Sequence, residues 1–204
     1  MPFTTPSSRA TLVRTLREIT DIPPDRAARP PLVVGARVLR RVADPAAVRA
    51  LAARVRDGRP LHPGTGAPSP LHELREELED AVASALSPVE VRTDLRIRLG
   101  GTAPVSDAGD PWPCRAVGAG EAGWWTSVRW AVAVEVPPGA AYTVHTPDVD
   151  LALQQPGALA VLGPRVPATL HGRSGASGVW VTARIGLRFR HRWFDLRRSL
   201  PHSA

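Results

Sequence analysis

Carboxylates and imidazoles are the side chains of this chain best suited to chemistry, and two stand out by context. Asp107 closes DLRIRLGGTAPVSD, where an alternating segment passes through a Gly-rich turn and delivers a carboxyl group at its far end. His171 sits in PATLHG, after the turn and apolar run of QQPGALAVLGP. Strands of one β domain can bring such a pair within a few ångströms, where an acid and an imidazole can act as general acid and base. His145, in YTVHTPD, is a further imidazole in the same half of the chain. His62 and His72 have no partner at ligand spacing and read as surface residues. The single Cys114 excludes an internal disulfide and any cysteine-based zinc cluster, and its Pro and Trp neighbours read as packing.

The elements that must position these residues change character along the chain. Residues 1–10 are polar and read as loose, and 8–20 read as a short helix with Leu12, Val13, Leu16 and Ile19 on one face. A Pro-broken connector follows, then one or two strands in PLVVGARVLRRV. ADPAAVRALAARVRDG carries helix signals at both ends: Asp44 as N-cap, Pro45 at the first position and Gly58 beyond the last. The loop RPLHPGTGAPSP precedes a second long helix, 71–86, whose apolar stripe is Leu71, Leu74, Leu78, Val82 and Leu86. From Val91 onward the texture is that of strands: VRTDLRIRLG, GWWTSVRWAVAVEVP, AYTVHTPDVDLALQ, GALAVLG and GVWVTARIGLRFRHRWF. In the first, Leu95, Ile97 and Leu99 point one way and Asp94, Arg96 and Arg98 the other. In the last, Trp180, Thr182, Arg184 and Arg188 share one face, while Val181, Ala183, Ile185, Leu187 and Phe189 share the face that packs under the helices. Helices followed by a run of strands indicate an α+β protein, with the helices on one face of a β sandwich or barrel.

With 204 residues, 43% of them hydrophobic and 22% charged, the chain suits one soluble globular domain. No apolar run is long enough to span a membrane, and the N-terminal residues lack an apolar signal core, so a cytoplasmic location is expected. The formal charge is +7, yet every basic residue is Arg and none is Lys. With abundant Ala, Pro, Gly and Val, this looks like a GC-rich coding bias, and a spread charge argues against a nucleic-acid partner. The C-terminal RFRHRWFDLRR interleaves Arg with Phe189, Trp193 and Phe194, a pattern that suits single-stranded nucleic acid, but it also suits a last strand with an Arg-rich tail. Gly118-Ala-Gly120-Glu-Ala-Gly123 matches a dinucleotide-binding pattern on paper, but a Trp-rich strand follows where a helix is needed.

Three segments resemble the double-stranded β-helix oxygenases that use iron(II) and 2-oxoglutarate. VLRRVADPAAVRALAARV resembles their strand-then-helix opening, LRIRLGGTAPVSDAGDPW the strand ending in H-x-D, and LQQPGALAVLGPRVPATLHG the strand that bears the distal His. The likeness spans roughly residues 31–190. It implies Asp107 and His171 as iron ligands and Arg184 as the partner of the far carboxylate of 2-oxoglutarate, a task that suits a planar guanidinium. One departure matters. Where H-x-D would stand the chain reads Val105-Ser106-Asp107, and Val cannot ligate. Either His145 supplies the missing ligand, or iron binding is weakened or lost.

The reading that follows is an α+β protein with a double-stranded β-helix (jelly-roll, cupin-like) core over 31–196. A helix and Pro-rich connector precede it (1–30) and a tail follows (197–204). The expected function is an iron- and 2-oxoglutarate-dependent oxygenase-like enzyme oxidising a small organic substrate, in the manner of specialised metabolism. Asp107, His171 and Arg184 are expected in one cavity. Trp112, Arg98, Arg129 and Trp130 are expected around the substrate, although the Trp124, Trp125 and Trp130 cluster also reads as core. The alternatives are a metal-free cyclase or isomerase using Asp107 or His171 as acid or base, a small-molecule binder on the same fold, and a basic nucleic-acid-associated protein.

Overall fold

Proline and hydroxyl or carboxylate caps set where the helices begin. The computed structural model describes residues 4–24, 30–40, 42–57, 70–99, 103–104, 115–116, 124–137, 142–172 and 178–189. Helix α1 spans Pro6–Glu18: the Thr5 hydroxyl accepts from the Ser8 N–H at 3.2 Å, and Pro6, with no N–H to satisfy, takes the first turn. The helix therefore starts inside the stretch expected to be loose. Thr4 is held as well, with its N–H donating to Glu77 Oε2 at 2.5 Å and a bridge to Ala43. Helix α2, Pro45–Arg56, starts as its sequence dictates, with Asp44 Oδ2 accepting from Ala47 N–H at 3.0 Å. Helix α3 is Pro70–Leu86 and buries Leu74, Leu78, Val82 and Leu86. His72 on α3 is at the surface with Nε2 3.1 Å from Glu76. Among the described residues no helix is long and apolar enough to cross a membrane.

The strands form two main layers. After a short antiparallel pair, β1 (Thr20–Asp21) with β2 (Leu32–Val33), come β3 (Ala36–Leu39), β4 (Glu90–Leu99), β5 (Ala103–Pro104), β6 (Arg115–Ala116) and β7 (Trp124–Glu135). The rest are β8 (Tyr142–His145), β9 (Asp150–Leu153), β10 (Leu159–Leu162), β11 (Thr169–Gly172) and β12 (Val179–Phe189). The large sheet has the order β3-β10-β7-β12-β4, with β6 on β7, and the small sheet β5-β11-β8-β9. From β4 onward the chain crosses repeatedly between the sheets: β4 large, β5 small, β7 large, β8 and β9 small, β10 large, β11 small, β12 large. Such alternation between two antiparallel layers is jelly-roll connectivity. The expected strands at 95–99 and 159–162 both lie in the large sheet, and 124–135 is its longest strand.

Period-2 alternation divides the large sheet into two faces, each with its own core. Val128, Trp130, Val132, Val181, Ile185 and Leu187 face the helices and pack with Leu12, Leu16, Val48, Leu51, Leu78 and Val82. The inner face looks toward the small sheet, where Ala131, Ala160, Leu162 and Trp180 meet Tyr142, Val144, Leu153 and Leu170. Fully burying one Leu in such a layer stabilises the fold by about 1.5–3 kcal/mol relative to exposure. AYTVHTPDVDLALQ, which reads as one strand, is a hairpin of β8 and β9. Its turn closes on Thr146, whose hydroxyl donates to Val149 O at 2.7 Å and accepts from Val149 N–H at 3.1 Å. A Pro-Asp turn beats strand continuation there because Pro147 has no N–H to give a ladder.

Candidate functional site

Beyond the part of the inner face that meets the small sheet, the large sheet turns polar. On β12 the inward positions pass from Trp180 through Thr182 to Arg184 and Arg188. Arg184 is paired in register with Arg129 of β7 on one side and Asp94 of β4 on the other. Both arginines are buried, at 8% and 2% exposure. Arg129 Nη2 donates to Gly163 O at 2.5 Å and also to Val166 O, so this side chain pins the turn between β10 and β11. Two same-face positions along the strands, Glu90 bridges two guanidiniums, Arg92 Nη2 at 2.7 Å and Arg188 Nε at 2.7 Å. The Arg92 guanidinium also stacks over the Trp125 ring, 4.9 Å from its centroid. Asp94 Oδ2 accepts from Arg96 Nε at 3.1 Å.

Among the described side chains of this face, Arg92, Arg96, Arg129, Arg184 and Arg188 stand against Glu90 and Asp94, and cations are in excess. Burial raises the Glu90 carboxyl, but hydrogen bonding and charge from Arg92 and Arg188 outweigh it and hold the group below the ordinary glutamate range. A carboxyl depressed in the folded state stabilises the fold above its unfolded pKa and loses that contribution as pH falls through the folded value. Glu90→Gln should therefore lower stability near pH 7 and flatten its decline below about pH 4, read as the urea midpoint against pH. An acid limb as steep as the wild type would contradict the bridge.

The residues singled out from the sequence divide among three places. Arg184 and Arg129 are neighbours on the inner face. Trp130 is wholly buried on the opposite face of β7, under the helices, and alternation gives the inner face Trp125 instead. His145 and His171 are on the small sheet, beside Val144 and Leu170, which point into its core; alternation therefore turns both imidazoles to the outer face. There the rings meet edge to face with centroids 4.7 Å apart, and Asp150 Oδ1 lies 2.7 Å from His145 Nδ1. The two imidazoles are thus brought together, and Arg184 is on a different face. Asp107, Val105, Trp112, Cys114, His62, the glycines of 118–123 and the tail beyond Phe189 lie outside the described residues, as does the side chain of Arg98, whose backbone pairs with Trp180. Phe189 is core, at 5% exposure. Among the described residues no group of three His, Cys, Asp or Glu could hold a metal ion.

Asp150 and Arg188–Glu90 were not read as site residues from sequence. The turn signal in HTPDVD was the clue to the first, since a hairpin there pairs His145 with Asp150. A groove of about 730 Å³ between α1 and α3 is lined by Thr5, Arg9, Val13 and Arg17 and touches none of the inner-face residues. Its arginines are engaged: Arg9 Nη2 lies 3.3 Å from Asp80 Oδ2, and Arg17 Nη2 donates to Ser84 O at 2.9 Å.

No family model matches the chain, and no curated protein does. Solved structures do. A prolyl-4-hydroxylase from Pseudomonas putida superposes with a TM-score of 0.51 at 17% identity, covering 94% of this chain and 97% of that one. A truncated viral collagen prolyl hydroxylase from Paramecium Bursaria Chlorella virus-1 superposes with a TM-score of 0.50 at 9% identity, covering 76% of this chain and 90% of that one. Identities this low speak for the fold. Together with the strand order, they make this chain an α+β protein of the double-stranded β-helix kind, with N-terminal helices packed on its larger sheet.

Proposed function

We propose that this chain is a small-molecule enzyme on the double-stranded β-helix fold, and that it takes a carboxylate-bearing ligand on the inner face of the large sheet through Arg184. The observation that carries this reading is the buried, in-register placement of Arg184 beside Arg129, on a face where guanidiniums outnumber carboxylates among the described side chains. Like charges across a strand pair repel, and burial sharpens the repulsion. Asp94, in register on the other side of Arg184, offsets part of it and an incoming carboxylate would add to that; a guanidinium presents two parallel N–H groups to two carboxylate oxygens. Arg184 presents its guanidinium to the ligand from β12, and Arg129, which donates to two carbonyls, adds positive potential beside it.

The fuller form of this reading is an oxygenase-like enzyme that uses iron(II) and 2-oxoglutarate to oxidise a small organic substrate. Arg184 would hold the far carboxylate of 2-oxoglutarate; Asp107 and His171, with His145 in place of the absent first His, would hold iron(II), which when bound supplies oxygen activation. The described donors do not fit one such centre: His145 and His171 are on the outer face of the small sheet and Arg184 on the inner face of the large one. That separation favours the second reading, a metal-free cyclase, isomerase or small-molecule binder in which Arg184 orients an anionic ligand.

Calorimetric titration with 2-oxoglutarate and with its neutral diester, run anaerobically with and without iron(II), tests both forms. Binding of the acid and not the diester is expected. A charge-transfer band that needs both iron(II) and 2-oxoglutarate would support the oxygenase form. Absence of carboxylate binding under both conditions would end the proposal.

A further inference from the structure

The outer face of the small sheet carries a cluster that the Arg184 carboxylate site does not use, although the oxygenase form would enlist its two imidazoles. Asp150, His145 and His171 come from three adjacent strands, β9, β8 and β11. His145 is in register with Asp150 on one side and with Thr169 on the other, so His171, two residues further along β11, is its diagonal neighbour. The imidazoles touch edge to face, with ring planes 82° apart. All three side chains reach solvent, His145 at 44% and Asp150 at 63% exposure. An ionised carboxylate only accepts hydrogen bonds, so the 2.7 Å contact from Asp150 Oδ1 fixes the proton of the neutral His145 ring on Nδ1. Its Nε2 keeps a free lone pair.

We propose that His145 and His171 form an external site for a divalent transition cation of the imidazole-preferring class (Zn²⁺, Ni²⁺ or Cu²⁺), with Asp150 as the positioning residue of His145. Imidazole nitrogen suits these ions, whereas Mg²⁺ and Ca²⁺ select oxygen ligands. A metal-bound His characteristically donates its other ring N–H to a carboxylate, which fixes the ring and raises its basicity; Asp150 and His145 already stand in that relation. The two rings are side by side on a hydrogen-bonded sheet, so the cation asks only for side-chain rotation. Water fills the remaining positions, since among the described residues no third protein ligand joins the pair. Such an open site binds more weakly than a four-ligand structural zinc centre and leaves the metal accessible to an outside ligand.

The test is calorimetry of the full, tag-free chain with zinc and nickel chloride, with magnesium chloride as control, alongside thermal melts with and without zinc. The expected result is one equivalent of zinc or nickel, none of magnesium, and a Tm raised by zinc. His145→Ala and His171→Ala each abolish binding and the Tm rise while leaving the metal-free Tm unchanged. Asp150→Asn weakens zinc about 10–100-fold at unchanged stoichiometry and metal-free Tm, and Asp150→Glu recovers part of the loss. Asp107→Ala keeps zinc binding intact, which separates this site from the iron centre of the oxygenase form. Four results overturn the proposal: no zinc uptake by the wild type, uptake that survives loss of both imidazoles, an Asp150→Asn affinity equal to wild type, or loss of zinc in Asp107→Ala.

Discussion

Replacing Arg184 by Gln is expected to weaken binding of a small dicarboxylate such as 2-oxoglutarate by about 30- to 1,000-fold, the equivalent of about 2–4 kcal/mol for truncating one partner of a buried, hydrogen-bonded charge pair. The size of the effect follows from burial: at 8% exposure the guanidinium contacts a ligand with little competing water. Arg184→Lys keeps the charge and loses the planar fork, so its affinity should fall between the two. Calorimetry measures the loss, and an unchanged m-value in urea shows that the variant still folds to the same compactness. An Arg184→Gln affinity within about threefold of wild type, which is about 0.7 kcal/mol, would mean that the ligand is held elsewhere.

Gly163→Ala should cost about 3 kcal/mol or more of stability, at or beyond the upper end of ordinary overpacking. A Cβ at this position would stand 1.9 Å from Val33 O and 2.7 Å from Val33 C, both backbone atoms of β2. The residue has little freedom to retreat, because its N–H donates to Gly35 O at 3.0 Å and its carbonyl accepts from Arg129. Gly35→Ala makes a useful contrast: its nearest obstacle is the Ile19 side chain at 3.3 Å, so it should cost far less. Urea midpoints of the two variants give the comparison, and equal midpoints would refute the close approach of β2 to this turn. Gly163→Ala should also weaken carboxylate binding, since any shift of the Gly163 carbonyl displaces Arg129, which neighbours Arg184.

Much of the scaffold was legible in the sequence because its signals are local. Asp44 and Pro45 start α2 by satisfying or lacking a helix-terminal N–H, and the 3.6-residue stripe of Leu74, Leu78 and Val82 makes α3 amphipathic. Alternation in GVWVTARIGLRF separates Val181, Ile185 and Leu187 under the helices from Arg184 on the inner face, as a strand with apolar and polar sides requires. The start of α1 was read two residues late, at Ser8, although Thr5 and Pro6 cap it locally as Asp44 and Pro45 cap α2, because the polar run around them reads as loose.

What only the tertiary structure decided concerns which faces meet. Periodicity says that His171 and Leu170 point opposite ways, but not that Leu170 takes the core and leaves His171 outside. That choice is made by a second sheet packing against one side of β11, with Trp180 and Val144 as its apolar partners. The same holds for Trp125 and Trp130, equally apolar neighbours on β7 whose roles were fixed when the helices covered one face of the large sheet. The pairing of Asp150 with His145 is local, set by a Thr-Pro-Asp turn, but Arg184 met Arg129 only because β12 lies beside β7. Strand pairing is a contact between distant segments, chosen by the burial it allows over the whole sandwich, and no local pattern of residues encodes it.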